Sequence, residues 1–353
     1  MNNRLEELEE NKEIHCSEQT KQKINELKLL NVGHKIEDFL EDIRREDRNL
    51  PTGITELDEI LGGGIKVGGI TTIASRTTCG KSTLALKIAI NLSEKGEQVI
   101  FYTNDDSIEQ LFLKGISLVS FELFDKQGAY TVQDIRNYIC GRVPMDDKFY
   151  HLIEEYKYIT KNLRLIDTKD ILMESKGADL SNDKSTTYVD DHIEYLRKEI
   201  EHYSDVQIKP VIILDYLQNI RVGQGLMEKA QADFAMRELK QLAIGSDLPI
   251  ILISSISRMH YEKKMCIQAL KESGSIEYGS DMIIGIHFAD IENNEFSFEK
   301  AKKSDVWNME LVLLKNKLGQ ADKTIPVDFY AKYNSFGSST KYIKTKINKK
   351  LFK

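Results

Sequence analysis

The stretch Ser75-Arg76-Thr77-Thr78-Cys79-Gly80-Lys81-Ser82-Thr83 carries the residue types that hold a polyphosphate. Gly80 lets the backbone approach closely, and Lys81 supplies a point charge to β- and γ-phosphates. The Ser82 hydroxyl is a hard oxygen ligand for Mg²⁺. Free backbone N–H groups along such a loop, and at the start of the helix it opens, point at phosphate oxygens. Further along, Val211-Ile212-Ile213-Leu214-Asp215 is an apolar run ending in a carboxylate. That is the arrangement in which an acid holds magnesium through water. Each signal alone has an ordinary explanation, since Gly-Lys-Ser arises by chance and many strands end at Asp. Their order and separation predict an ATP and Mg²⁺ site.

The elements that must position these groups alternate. Strands are predicted at Gly69–Ser75, Gln98–Thr103, Val211–Asp215, Pro249–Ser254, Asp281–His287, Met309–Leu314 and Ile325–Phe329. Helices are predicted at Ser82–Ser93, closed by Gly96, and at Ser107–Ser120 and Met227–Ile244. Apolar strands alternating with helices predict an α/β fold with a largely parallel sheet covered on both faces. Asn49-Leu50-Pro51-Thr52-Gly53 opens this domain, assigned to residues 49–335. Before it, residues 1–20 are acidic and weakly patterned, and 21–48 read as a helical segment. There Ile36, Phe39, Leu40 and Ile43 share one face. That stripe must be buried against the chain's own core or a neighbouring subunit. Residues 336–353 form a basic tail, with Lys341, Lys344, Lys346, Lys349, Lys350 and Lys353. Residues 121–205 are mixed and charged, with a loop at Ser175–Thr187.

Composition narrows the class. At 353 residues, 41% hydrophobic and 30% charged, the chain builds a real core and is neither fibrous nor wholly disordered. No apolar run reaches the length of a membrane-spanning helix, and the charged start has no secretory h-region. Cys16, Cys79, Cys140 and Cys266 form no CxxC pair, which fits a reducing cytoplasmic setting. The net charge of −7 does not advertise nucleic acid, so any such surface must be local.

Several segments together resemble the C-terminal ATPase domain of DnaB-type replicative helicases. Leu50-Pro51-Thr52-Gly53-Ile54, Leu57-Asp58 and Leu61-Gly62-Gly63 are similar to the opening of a RecA-like domain. Ser75–Ser82 resembles the family's phosphate loop, in which the first Gly is also absent. Asp215-Tyr216-Leu217-Gln218 and Glu272-Ser273-Gly274-Ser275-Ile276-Glu277, followed by Asp281, match two of its specific runs. Lys315-Asn316-Lys317 with Gly319 resembles its Lys-x-Arg-x-Gly hairpin. The resemblance covers about residues 50–335 and implies a RecA-like P-loop NTPase fold. It further implies a homo-hexameric ring with ATP sites between subunits, movement on single-stranded DNA, and a linker helix docking on the next subunit. Residues 21–47 are placed for that linker. Lys271, Glu272 and Gly274 take the positions that contact DNA phosphates, a grip that does not read bases.

Four departures bear on the activity. The glutamate that polarises water in the family is replaced by the shorter Asp105, in Thr103-Asn104-Asp105-Asp106. A misplacement of about 1 Å can cost ~10²-fold in rate. Asp105 working through a shifted backbone, Asp106 in its stead, and slow hydrolysis stay open. The trans-acting arginine is Lys317, which lacks the planar fork, and an arginine finger is worth ~10³–10⁵. Arg258 is a possible recruit. The γ-phosphate sensor is Ser255. Fewer than 50 residues precede the ATPase core, too few for the primase-binding domain of the replicative enzymes. The leading expectation is a translocase or helicase whose catalytic residues are Lys81, Asp105, Asp215, Lys315 and Lys317. The alternatives are a nucleotide-gated ATPase module of a phage-defence or mobile-element system, and a recombinase- or clock-type ATPase, which the Gly62-Gly63-Gly64 run also resembles. Among the other residues, Arg237 and Lys240 read as solvated helix charges below a second candidate loop at Gly223–Lys229. His287 reads as a core or edge histidine, and Trp307 as a packing anchor.

Overall fold

The computed structural model describes residues 22–23, 31–46, 49–170, 189–215, 217, 228–270 and 273–338. The chain divides into two units, Met1–Arg48 and Asn49–Lys353. In the first, a 3-10 turn at Val32–His34 precedes an α-helix at Ile36–Glu46. The helix expected over 21–47 is therefore interrupted. Asn31, Val32 and Gly33 are poor helix formers, and they occupy the break. The stripe of Ile36, Phe39, Leu40 and Ile43 lies on that helix with every member 44–60% exposed.

The second unit is built on a sheet of order β3-β2-β4-β5-β1-β6-β7-β8-β9. These strands are β1 (Ile70–Ser75), β2 (Val99–Thr103), β3 (Leu163–Asp167), β4 (Val211–Asp215) and β5 (Ile250–Ser255). They are followed by β6 (Met282–Phe288), β7 (Trp307–Asn316), β8 (Lys323–Tyr330) and β9 (Ser335–Ser338). β1 to β6 run parallel, and β7, β8 and β9 add as an antiparallel extension. β9 includes residues 336–338, which the sequence reading placed in the tail.

Alternation along the central strands splits the core in two. Ile73, Phe101, Val99, Ile213 and Ile251 pack on one face, with the buried side of helix Lys81–Glu94. Ile70, Tyr102, Ile212, Leu214 and Leu252 pack on the other, with helix Glu228–Gly245. Both faces are covered, so β1, β2 and β4 are buried along their whole length rather than on alternate residues. Trp307 is indeed an anchor. Its ring lies 5.5 Å from that of Phe288 and 5.3 Å from that of Phe329, and its indole N–H donates to the Ser304 carbonyl at 3.2 Å.

The opening segment is stitched into the same unit. Asp58 accepts from the Thr52 amide at 2.6 Å and the Thr52 hydroxyl at 2.7 Å. Gly64 passes so close to Leu50 that a Cβ there would lie 2.2 Å from its carbonyl oxygen. Helix Ile108–Gly128 begins with a reciprocal cap between Ser107 and Gln110 and runs past the predicted Ser120, with a break at Asp125, where φ is 58°. Among the described residues no helix is long and apolar enough to cross a membrane. Ser175–Thr187, most of Gly223–Lys229 and the lysines of the tail lie outside them.

Candidate nucleotide site and its opposite edge

Parallel strands place their C-terminal ends on one edge of the sheet, and the site assembles there. β1 ends at Ser75, the loop 76–80 follows, and Gly80 caps helix Lys81–Glu94 in the left-handed conformation at φ 82°. Gly80, at the capping position, brings no side chain to accept from the helix's first amides. Thr78 is also left-handed, at φ 65°, which turns the loop back on itself. Lys81 and Thr83 are buried, Ser82 is half-buried, and Thr77 and Thr78 are exposed.

Two loop residues pack against aromatic rings. A Cβ at Gly80 would lie 2.7 Å from Phe336 and 3.2 Å from Phe329, so the loop sits on aromatic rings of the β8–β9 hairpin. The Arg76 guanidinium lies over Phe298 at 3.4 Å and beside Tyr261 at 4.8 Å, and donates to the Tyr261 carbonyl at 3.3 Å. Its side chain is thus engaged by aromatic rings, while its backbone belongs to the loop. Cys79 is fully buried, and burial pushes its thiol up to about 11, so it is an inert packing group.

Asp215 ends β4 beside Thr103, its register partner on β2. The carboxyl is fully buried, and neither oxygen has a hydrogen-bond partner among the described residues. Burial lifts its pKa to about 6, against the opposing influence of the nearby Ser82 hydroxyl and Lys81, with Asp105 and Asp106 adding to the rise. An orphaned buried acid facing a serine and a lysine is what a divalent cation would relieve, so Ser82 and Asp215 fit Mg²⁺.

The turn after β2 brings a third acid to this edge. The Asn104 amide donates to the Asp215 carbonyl at 2.7 Å. Thr103 Oγ1 accepts from the Asp106 amide at 3.1 Å and holds the turn. Asp106 pairs with Lys114, while Asp105 is exposed. Ser255 is the register partner of Ser75 and so stands beside the loop. Exposed Arg258 follows on the same edge, in the turn Arg258–His260.

Lys315 and Lys317 lie elsewhere. β7 is antiparallel to β6, with Asn316 opposite Met282. The hairpin therefore sits on the N-terminal edge of the sheet, about 17 Å from the loop along β1. Lys315 donates to the Glu277 carbonyl, and Lys317 Nζ lies 3.2 Å from Asp281. Lys240 also binds Asp281, which corrects its reading as a solvated charge. Burial alone would raise the Asp281 pKa. Lys240, the Ile70 amide and Lys317 hold it below the usual range instead.

Arg237 stacks on Phe234 and faces Glu238. His287 is buried on β6 beside Glu310. Of the DNA-contact candidates, Lys271 and Glu272 lie outside the described residues. Gly274 is in the short helix Ser273–Gly279, with open space where a Cβ would stand. The sequence reading missed the aromatic seat of Gly80, the Arg76 sandwich and the shared carboxylate of Asp281. Only the Thr103 turn had a local signal, a hydroxyl residue ahead of Asn-Asp-Asp.

Comparison with known proteins agrees with this fold. The family model for DnaB-like helicase C terminal domain matches residues 150–338, and one for the KaiC ATPase matches residues 50–175. "Replicative DNA helicase DnaB" of Geobacillus stearothermophilus is 25% identical over 302 residues, 82% of this chain and 57% of that protein. Its counterpart in Leifsonia xyli subsp. xyli is 28% identical over 313 residues, 85% of this chain and 58% of that protein. The chain thus spans under two thirds of the length of these relatives. Among solved structures, one described as an ATPase domain superposes with a TM-score of 0.67 at 21% identity, over 88% of this chain and 99% of that one. A DnaB-like replicative helicase, solved with its interactions with primase, gives 0.65 at 20% identity, over 88% of this chain and 67% of that one. The fold is RecA-like α/β, and the chain belongs to the family of DnaB-like helicase C-terminal domains.

Proposed function

We propose that the chain is an ATP-hydrolysing motor that moves on single-stranded DNA as a cytoplasmic ring of identical subunits. One observation carries this reading. The phosphate loop, Asp215 and Asp105 converge on one edge of the sheet, while Lys315 and Lys317 stand on the other. A subunit cannot bring its own hairpin to its own loop, so the full set meets only between subunits.

In this reading the amides of 76–83 and Lys81 hold the β- and γ-phosphates of ATP, and Ser82 and Asp215 hold Mg²⁺. The metal, when bound, offsets the charge of the phosphate oxygens. Asp105 orients a water for in-line attack on the γ-phosphorus, and ADP departs as the bond to its β-phosphate oxygen breaks. Lys317 of the neighbouring subunit, with Lys315, offsets charge on the transferring phosphoryl group. The exposed stripe on helix Ile36–Glu46 is a second contact between subunits, which would order the ring. DNA phosphates would meet the segment around Lys271, Glu272 and Gly274, whose affinity would fall with salt.

Mixing two inactive variants tests the arrangement. Lys81→Ala removes the loop cation, and Lys317→Ala removes the finger. In a randomly mixed ring about a quarter of interfaces pair an intact loop with an intact finger. ATPase stimulated by single-stranded DNA should therefore reappear on mixing, and the wild type should unwind a forked duplex. No recovery on mixing refutes the shared site. Slow turnover indifferent to DNA, with no unwinding, would favour a nucleotide-gated module instead.

A further inference from the structure

Asp281 is buried where β6 begins, on the edge that carries the lysine hairpin. Its Oδ2 accepts from the Ile70 amide at 2.9 Å and from the Lys240 ammonium. Its Oδ1 faces Lys317 Nζ at 3.2 Å, and its carbonyl accepts the Lys317 amide at 3.0 Å. One carboxylate thus serves two ammonium groups. Lys240, on helix Glu228–Gly245, is the more enclosed of the two and keeps the buried charge compensated. Lys317 is 42% exposed, and an ammonium has three N–H groups, so a contact to Asp281 leaves donors for a second anion.

We propose that Asp281 is a positioning residue for the hairpin. It holds the Lys317 ammonium against the first amide of β1, so that the lysine meets a neighbouring subunit's triphosphate already ordered. This rests on the reading of Lys317 as that neighbour's finger. The chemistry favours such a device here. A lysine has no planar fork to fix its approach and loses much rotamer freedom when held, so a fixed counter-charge supplies the order an arginine carries in its own geometry. The same carboxylate binds the start of β1, whose far end is the phosphate loop. The finger a subunit offers is thereby tied to the strand that bears its own site.

The test compares steady-state ATPase of the assembled full chain with Lys317→Ala, Asp281→Asn and the double variant. Asparagine is isosteric and can still accept from the Ile70 amide. Asp281→Asn should lower kcat roughly 5- to 20-fold with KM for ATP within about twofold. The double variant should match Lys317→Ala alone, because Asp281 acts only through that lysine. Where Asp281→Asn fails to fold for want of a partner for Lys240, the comparison is made in Asp281→Asn/Lys240→Met, which removes both charges. Equal losses from Asp281→Asn with and without Lys317 would overturn the proposal in favour of a purely structural acid. So would an unchanged kcat in Asp281→Asn while Lys317→Ala is impaired. An unchanged kcat in Lys317→Ala is a different failure, because it removes the finger itself and the positioning role with it.

Discussion

Burial of Asp215 should make the ligand-free protein less stable than it would be with a neutral residue, and Asp215→Asn tests that cost. The carboxyl is fully buried with both oxygens unpartnered among the described residues, and its pKa rises from 3.8 to about 6. A folded-state pKa above the unfolded one means the native state binds more protons between those values. Stability therefore falls as pH climbs through that window and levels off above it. The full effect is about 3 kcal/mol at ~1.4 kcal/mol per tenfold change, of which about 1.5 kcal/mol develops between pH 5 and pH 8. Asparagine keeps the shape and removes the charge, while leaving its own amide poorly satisfied. We expect the variant to be more stable than the wild type by about 1–3 kcal/mol at pH 8, with a smaller advantage at pH 5. The measurement is urea unfolding of both proteins at the two pH values, with EDTA and without nucleotide. The same variant should lose magnesium-dependent ATP binding and turnover. A variant less stable than the wild type at pH 8, or an advantage independent of pH, would show that the buried charge of Asp215 is not a net cost to the folded protein.

Gly80→Ala should destabilise the unit by about 2–4 kcal/mol, from a left-handed φ of 82° and a methyl 2.7 Å from Phe336. Adding Phe336→Leu should recover only the steric part in thermal unfolding, since the backbone strain remains. Arg76→Lys should cost about 1–2 kcal/mol in urea unfolding, because lysine cannot reproduce the planar contact with Phe298 and Tyr261. Its effect on ATP affinity, read by calorimetry, should be smaller than that of Lys81→Ala.

Of the parallel strands, β1, β2, β4, β5 and β6 were legible because burial on both faces leaves a largely apolar run, as in Val211–Asp215, whose bounds match the structure, whereas β3 (Leu163–Asp167), a partly exposed edge strand within the mixed stretch 121–205, was missed. The strand–loop–helix turn through residues 75–83 was legible because its Gly-Lys-Ser lies on adjacent positions between an apolar strand and a helix. What escaped was either contextual or remote. Helix Ile108–Gly128 outran its expected end because residues beyond Ser120, such as Phe121, pack on the rings of Tyr330 and Tyr333 from the far end of the chain. Lys240 read as solvated because Asp281, which claims it, lies 41 residues away. Lys317 was a candidate by its position in a hairpin, but its pairing with a buried acid needed the antiparallel register of β6 and β7. The helix predicted over 21–47 failed at Asn31–Gly33, where local propensity outweighed the apolar pattern on either side.

The rings beneath Gly80 have a consequence for biosynthesis. Phe336 leaves the ribosome roughly 250 residues after Gly80, so the turn at 76–80 lacks its aromatic seat until the final strands emerge. A nascent chain stalled before β8 would carry every residue of that turn without the Phe329 and Phe336 rings on which Gly80 rests.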